Sequence, residues 1–523
     1  MHATLHWGNF PAPCRPFDPV ACLIDLGAAA AICETSWSAL WVVYPAADSA
    51  MTGSTPKPGT ERRRRVSRVP DSLPGKRPKR SQRERLLDAM IELAASAGYQ
   101  QVSVAEVSAR AGVSRATFYE QFEDKEDCIL AAYRAAGERL LAQAPRVGAN
   151  ADRYEATRST LRGLARGLQR DPNAGRLLFV ERVARGPRAR ETRRAVVGAF
   201  EQRMQEILDS TSEGADTVDI PAAALVGAIR NIVARYLRTH AEDQLPAVAD
   251  DGVTWVRSYA IPVGQQPWST GPNALLPEAP EPQPRSATVR PMRLPRGRHT
   301  LPAGVIARSQ RTRILYGTAE ATMAKGYENT TVADIVAAAA VSREVFYEHF
   351  RDKQDAFLEA QQHPTQHILD TCAAAYFRAR DWPERVWNAF GALLQMIAEN
   401  PAISHLRLIE CYAAGPQAIR RAEEITRSFT IFVEEGYGYR PQARELPHLC
   451  SHAVAGAIFE IIQRHVAQGD LDGLARHLPQ LTYIAIAPFT GPEEAVRRVS
   501  ILTASHPNGG PASDVVGGDP GYD

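Results

Sequence analysis

Leu86, Leu87, Met90, Ile91 and Ala94 recur at spacings of three and four, and Ile314, Leu315, Thr318, Ala319 and Thr322 repeat the arrangement. That period puts the apolar positions on one stripe of an amphipathic α-helix. Ser103 and Thr331 are suited to cap a short second helix, and Ser114 and Ser342 a third, because a hydroxyl oxygen there accepts from an otherwise unpaired N–H of the first turn. No run alternates with period two over a length that argues for a strand. The fold class expected is all-α.

Aligned on itself at an offset of 228 residues, the chain matches without a gap from Gly98 against Gly326 to Asp127 against Asp355, with about half of the positions identical. Further on the register becomes 229, and "DPNAGRLLFVERVARGP" (171–187) matches "NPAISHLRLIECYAAGP" (400–416). "LVGAIRNIVARYL" (225–237) likewise matches "VAGAIFEIIQRHV" (454–466). A module of about 180 residues is therefore present twice. Between the copies Pro267, Pro272, Pro277, Pro280, Pro282, Pro284, Pro291 and Pro295 punctuate a stretch without helical or strand period, which reads as a linker.

Length and charge refine this picture. The 523 residues exceed one ordinary core, and 44% hydrophobic with 23% charged residues is globular composition. The net charge of +2 hides a cluster of Arg62, Arg63, Arg64, Arg65, Arg68, Lys76, Arg77, Lys79, Arg80 and Arg83, which suits an anionic partner. "RPMRLPRGRHTLPAG" (290–304) gives the second copy a similar cationic lead-in. Seven scattered cysteines without C-x-x-C spacing point to neither a disulfide framework nor a zinc site. Asp25 and Glu34 interrupt the apolar stretch 20–47, and no basic segment precedes it, so neither a signal peptide nor a membrane span is read there. Residues 1–50 show no period that continues downstream, and Met51 opens the basic arm; a mis-assigned start is the preferred reading.

A short capped helix, a tight turn around Ala111, Gly112 and Val113, and another helix is helix-turn-helix spacing. Phe118 and Phe122 share one face of the third helix while Tyr119 is rotated outward, and Phe346, Phe350 and Tyr347 repeat this. By itself such spacing fits any three-helix core. The basic arms, the donors Ser114–Arg115 and Ser342–Arg343 at exposed helix starts, and a lysine in the first turn after Asp124 and Asp352 tilt the reading toward DNA. A cation at that place opposes the helix dipole at about 0.3–1 kcal/mol. A local rule broken twice points to function, here a phosphate contact by Lys125 and Lys353.

"SVAEVSARAGVSRATFYEQFEDKEDCI" and "TVADIVAAAAVSREVFYEHFRDKQDAF" resemble the DNA-binding domain of tetracycline-repressor (TetR) family regulators, and the downstream segments resemble that family's ligand-binding and dimerisation region. The resemblance implies two tandem helix-turn-helix DNA-binding domains, each followed by a helical ligand-binding/dimerisation domain. The expected segments are a disordered leader and basic arm at 1–80, domains at 81–127 and 128–262, a Pro-rich linker with basic arm at 263–308, domains at 309–355 and 356–495, and a tail at 496–523. It also implies that Ser103 and Thr331 touch phosphate, with Ser114 and Ser342 beside them. Arg115, Ala116 and Thr117, with Arg343, Glu344 and Val345, would face the major groove, while Tyr119, Tyr347, Lys125 and Lys353 would clamp phosphates. The partners implied are double-stranded DNA and a small-molecule effector, with dimerisation through the last helices, near 222–236 and 452–465, and a place in the bacterial cytoplasm at the nucleoid.

The copies depart where a helix first meets DNA. Ala340 replaces Gly112 in the turn, Glu344 replaces Ala116 and Val345 replaces Thr117, so the two readers cannot share one preference. A fusion lets one chain supply both recognition helices, about 34 Å apart, of a pseudo-palindromic site. A coil of about 45 residues spans roughly 37 Å, enough for intramolecular pairing. An intramolecular pseudo-dimer is expected, with a homodimer as the alternative. Phe179, Phe200, Met204 and Tyr236, with Trp387, Phe390, Met396, Tyr412 and Phe459, are candidates to line a pocket, although most are expected to be ordinary core. His448 and His452 share a helix face but lack a third ligand, so satisfied histidines are favoured over a metal pair. No nucleophile elbow, phosphate loop or H-E-x-x-H is present; neither an enzyme nor a cofactor is expected. The competing reading is an interaction protein whose helix-turn-helix units are degenerate, above all the second.

Overall fold

The computed structural model describes residues 80–145, 152–180, 187–210, 217–261, 301–471 and 473–505. The leader with its alternative start at Met51, nearly all of the two cationic lead-ins, and the linker up to residue 300 lie outside these residues.

In the first copy α1 (Gln82–Ala97), α2 (Val104–Ala111) and α3 (Arg115–Gln121) form a three-helix unit. It is followed by α4 (Lys125–Leu141), α5 (Arg153–Arg170), α6 (Pro172–Phe179), α7 (Pro187–Asp209), α8 (Ala222–Arg238) and α9 (Leu245–Arg257). The second copy opens with α10 (Ala303–Lys325), α11 (Val332–Ala339), α12 (Arg343–His349) and α13 (Lys353–Gln362). It continues through α14 (Thr365–Tyr376), α15 (Trp382–Glu399), α16 (Pro401–Leu408), α17 (Pro416–Ser428) and α18 (Ile431–Glu434) to α19 (Leu449–Gln468), α20 (Leu478–Thr490) and α21 (Pro492–Ser505). Among the described residues the strands are two-residue pieces, Thr217–Val218 antiparallel to Ala260–Ile261. The chain is all-α. Helix α10 begins within the stretch assigned above to the linker, and α21 extends into the stretch assigned to the tail.

The caps form as the sequence specifies. Ser103 Oγ accepts from Glu106 N while the Glu106 carboxylate accepts from Ser103 N at 2.8 Å, and Thr331 with Asp334 repeats the box. Lys325 and the Thr331 cap hold the Asp334 carboxyl down at about 2.

At the register of 229, α5 coincides with α15 and α6 with α16, residue for residue. The copies diverge earlier. Helix α4 is unbroken, whereas its counterpart is divided into α13 and α14 at Pro364, which at the 228 register stands where the first copy has buried Ala136. Proline lacks the N–H that would continue the ladder, and its ring collides with the carbonyl four residues back.

Phe118 and Phe122 pack with Leu86, Met90 and Leu177 in one core, and Phe346 and Phe350 with Ile314, Phe357 and Leu406 in another. A third core draws on both copies: Leu225, Val226, Trp255 and Tyr259 of the first lie with Val454, Ile458, Tyr483 and Phe489 of the second. Tyr259 Oη donates to Ile484 O at 2.7 Å within it.

Helices α8 and α19 cross where small residues allow a close approach. A Cβ on Gly227 would lie 2.4 Å from Glu460 Cβ, and one on Gly456 would lie 3.1 Å from Asn231 Cβ. Gly227 corresponds to Gly456 and Asn231 to Glu460, so each contact joins the same two positions with the copies exchanged. The side chains break that symmetry. Arg230 Nη1 donates to both Glu460 carboxylate oxygens at 2.9 Å, while the position corresponding to Arg230 holds Phe459. Asn231 Nδ2 bonds Gly227 O at 3.0 Å and Gly456 O at 3.4 Å.

Candidate nucleic-acid interface and effector cavity

Ser114 caps α3 by accepting from Thr117 N at 3.0 Å, which leaves Arg115, Ala116 and Tyr119 facing outward and Thr117 half-buried. Phe118, fully buried, turns the helix so that Tyr119 is 59% exposed. Arg115 makes no hydrogen bond or ion pair among the described residues, so its fork of donors is available to a base edge or phosphate. In the second copy Ser342, Arg343, Glu344 and Tyr347 are exposed and Val345 half-buried. That face is partly committed to itself. Arg343 Nη2 lies 3.4 Å from Tyr347 Oη, over the same ring, and Ser342 Oγ donates to Glu344 at 3.3 Å.

Lys125 and Lys353 have a structural explanation that the sequence does not reveal. Lys125 Nζ donates to Val102 O at 2.9 Å and lies 4.5 Å from the centre of the Tyr99 ring. Lys353 Nζ donates to Tyr327 O at 2.7 Å and lies 4.4 Å from the centre of the Tyr327 ring. Each amine reaches back to the connection between the first and second helices of its unit, whose carbonyl and ring offset the unfavourable helix dipole. Ser103 and Thr331 are likewise occupied as caps.

Gly112 closes α2 at φ +65°, and Ala340 adopts φ +51° at the same place. A residue with a Cβ pays about 1 kcal/mol for this left-handed conformation. Ala340→Gly is therefore expected to stabilise the chain by about 1 kcal/mol, less the extra freedom glycine gains on unfolding. A thermal melt with an unchanged or lower midpoint would count against the strain.

The pocket candidates separate. Phe390, Met396 and Phe459 line a cavity of about 810 Å³ in the second copy, enclosed by α14 to α17 and α19 and within the range that takes a small molecule. Phe179, Phe200 and Met204 line one of about 50 Å³ in the first copy, and its neighbour there is about 60 Å³; each holds little more than a water or two. Trp387 is fully buried in the shared core, Tyr412 packs on the second three-helix unit and Tyr236 on the first; none lines these cavities. Aromatic character identified candidates, but cavities form where helices part. Pro364 breaks the helix at the large cavity, and Pro364, Ile368 and Thr371 line it.

Sequence reasoning missed α16. Its Ala402 and Leu406 lie in the core of the second three-helix unit, while Ile403 and Arg407 line the cavity. Beyond α16, the Glu410 carboxylate accepts from Tyr327 N at 2.7 Å, and Gln361 Nε2 donates to Ala418 O at 2.9 Å. His448 lies against Tyr437 and His452 Nδ1 is 3.3 Å from His448 O; among the described residues no group of three or more metal-ligating side chains gathers. None of the described helices is long and apolar enough to cross a membrane.

The family model for bacterial regulatory proteins of the tetR family matches residues 86–132 and 314–360. The HTH-type transcriptional repressor KstR of Mycolicibacterium smegmatis is 31% identical over 108 residues, which are 20% of this chain and 53% of that repressor. The chain thus spans about half the length of the curated relative it matches. Among solved structures, a transcriptional regulator from Rhodococcus sp. Rha1 is 23% identical, covering 34% of this chain and 98% of its own, with a TM-score of 0.30. The TetR family regulator PfmR of Thermus thermophilus is 22% identical, covering 34% and 96%, with a TM-score of 0.29.

Proposed function

We propose, from the premise that this chain belongs to the tetR family of bacterial regulatory proteins and carries its DNA-binding module twice, that one chain acts as a ligand-responsive pseudo-dimeric repressor on an inverted repeat with unequal halves. The observation that carries this reading is the α8–α19 crossing, in which Gly227–Glu460 and Asn231–Gly456 join the same two positions with the copies exchanged. A two-fold arrangement of reading heads is what a palindromic site requires. The unequal readers, Arg115-Ala116-Thr117 and Arg343-Glu344-Val345, then favour different half-sites.

Release of DNA follows from the two faces of α16. A ligand that presses on Ile403 and Arg407 shifts Ala402 and Leu406, on which the second three-helix unit is seated. Glu410, Gln361 and Arg421, through their bonds to Tyr327 N, Ala418 O and Leu358 O, pass that shift to α10 and α13. The ligand favours the arrangement in which the cavity fits it, and the spacing of α3 and α12 changes with it.

Selection from random duplex DNA with the full chain, at fixed moderate salt, tests the reading. An inverted repeat with two different halves is expected, bound with an affinity that falls steeply as salt rises. Two identical halves mean that the first module alone reads DNA through pairs of chains. No enrichment favours the interaction protein, a reading that the self-engaged Arg343 and Tyr347 support for the second module.

A further inference from the structure

Arg407 lies on the cavity wall and is only 8% exposed. Its Nη2 donates to Thr365 Oγ1 at 3.2 Å, while Nη1 has no hydrogen-bond partner, and no carboxylate pairs with it among the described residues. Burial alone brings its pKa down to about 10. A buried guanidinium with a vacant donor is costly, and chains retain one where an anion completes it. Packing does not demand the charge: at the register of 229 the first copy has buried Leu178 in its place. Much of the wall is apolar, with Ile368, Phe390, Met396, Ile403, Phe429 and Ile458, and its polar members include Asn400, Ser404 and the exposed His367 and Arg378. The acidic residues of the lining, Asp370 and Glu399, are exposed at the rim.

We propose that this cavity takes an apolar carboxylic acid, inserted carboxylate first, so that the anion pairs with the Arg407 guanidinium, whose unpartnered and now covered Nη1 turns toward the cavity, and the hydrocarbon body covers the apolar wall. This rests on the ligand-responsive reading above, and it makes the second module the sensor. A neutral analogue fills the same volume but leaves the guanidinium unpaired, and the leucine of the first copy offers an anion nothing. A charge-assisted bond of this kind separates acid from alcohol by about 10- to 100-fold in affinity.

The test uses the full chain and unbranched carboxylic acids of graded length, from octanoate to oleate, each beside the primary alcohol of the same chain, with binding read by calorimetry. One or more acids are expected to bind about 10- to 100-fold more tightly than their alcohols and to raise the melting temperature. In Arg407→Met the acid loses this advantage while the alcohol binds as before, and the ligand-free chain melts no lower than the parent. Equal binding of acid and alcohol, an advantage that survives in Arg407→Met, or no binding by any acid overturns the proposal. Operator release is read separately by anisotropy: an Arg407-dependent acid that leaves DNA bound sinks the effector reading and spares the site.

Discussion

Arg115→Ala is expected to lower the affinity of the chain for its selected operator by about 10- to 100-fold, with most of the loss on one half-site. A bidentate arginine contact to a base edge separates the right from the wrong base by about 1–3 kcal/mol, and the exposed, unengaged Arg115 is the side chain of the first module placed to make one. The loss persists at high salt if the contact is to a base, whereas a phosphate contact shows as a shallower salt slope. Arg343→Ala costs less, because that side chain must first leave Tyr347 and has Glu344 beside it. Titration of operators with one half-site scrambled assigns each loss to its half. Equal losses for the two variants, spread over both halves, contradict a division between two different readers.

The second large effect concerns the pairing of the modules. Arg230→Met leaves Glu460, only 8% exposed, without its closest cation, and Arg464 Nε at 3.3 Å compensates in part. Removing one partner of a buried pair typically costs 3–5 kcal/mol. Because Arg230 is about a quarter exposed, we expect about 2–3 kcal/mol, seen as a lower urea midpoint. The double variant Arg230→Met with Glu460→Met recovers most of it, since the charge and its counter-charge go together. A single variant as stable as the parent shows that the pair does not fasten the crossing. The same asymmetry bears on partner choice. Two first modules would set Arg230 against asparagine, and two second modules would set Glu460 against phenylalanine or glycine, whereas the mixed pair satisfies both charges.

Much of this was legible in the sequence because it is local. Helical period, Ser103 and Thr331 caps, the buried face of Phe118 and Phe122, and the exposed face of Tyr119 all follow from spacings of three and four. The family resemblance, rather than spacing, pointed to the segments of α8 and α19, which cross here. What stayed hidden depends on contacts between distant segments. The bond of Lys125 to Val102 O and its place over the Tyr99 ring are one example, because they join it to a turn more than twenty residues away. Trp387 and Tyr412 looked like pocket residues, but whether an aromatic faces a cavity or a core depends on where helices diverge. Pro364 carried a usable signal, a helix breaker where the other copy has alanine. Arg407 opposite Leu178 carried another: an apolar run that turns charged in only one copy marks a position whose surroundings differ.

The central claim is that one chain contributes both halves of the DNA-reading unit. Native mass spectrometry of the chain on its selected operator tests it most directly. The claim predicts a single chain of 57.2 kDa per duplex, with no second chain recruited as protein is added. Two chains on each duplex, carrying four reading helices for one inverted repeat, would contradict it.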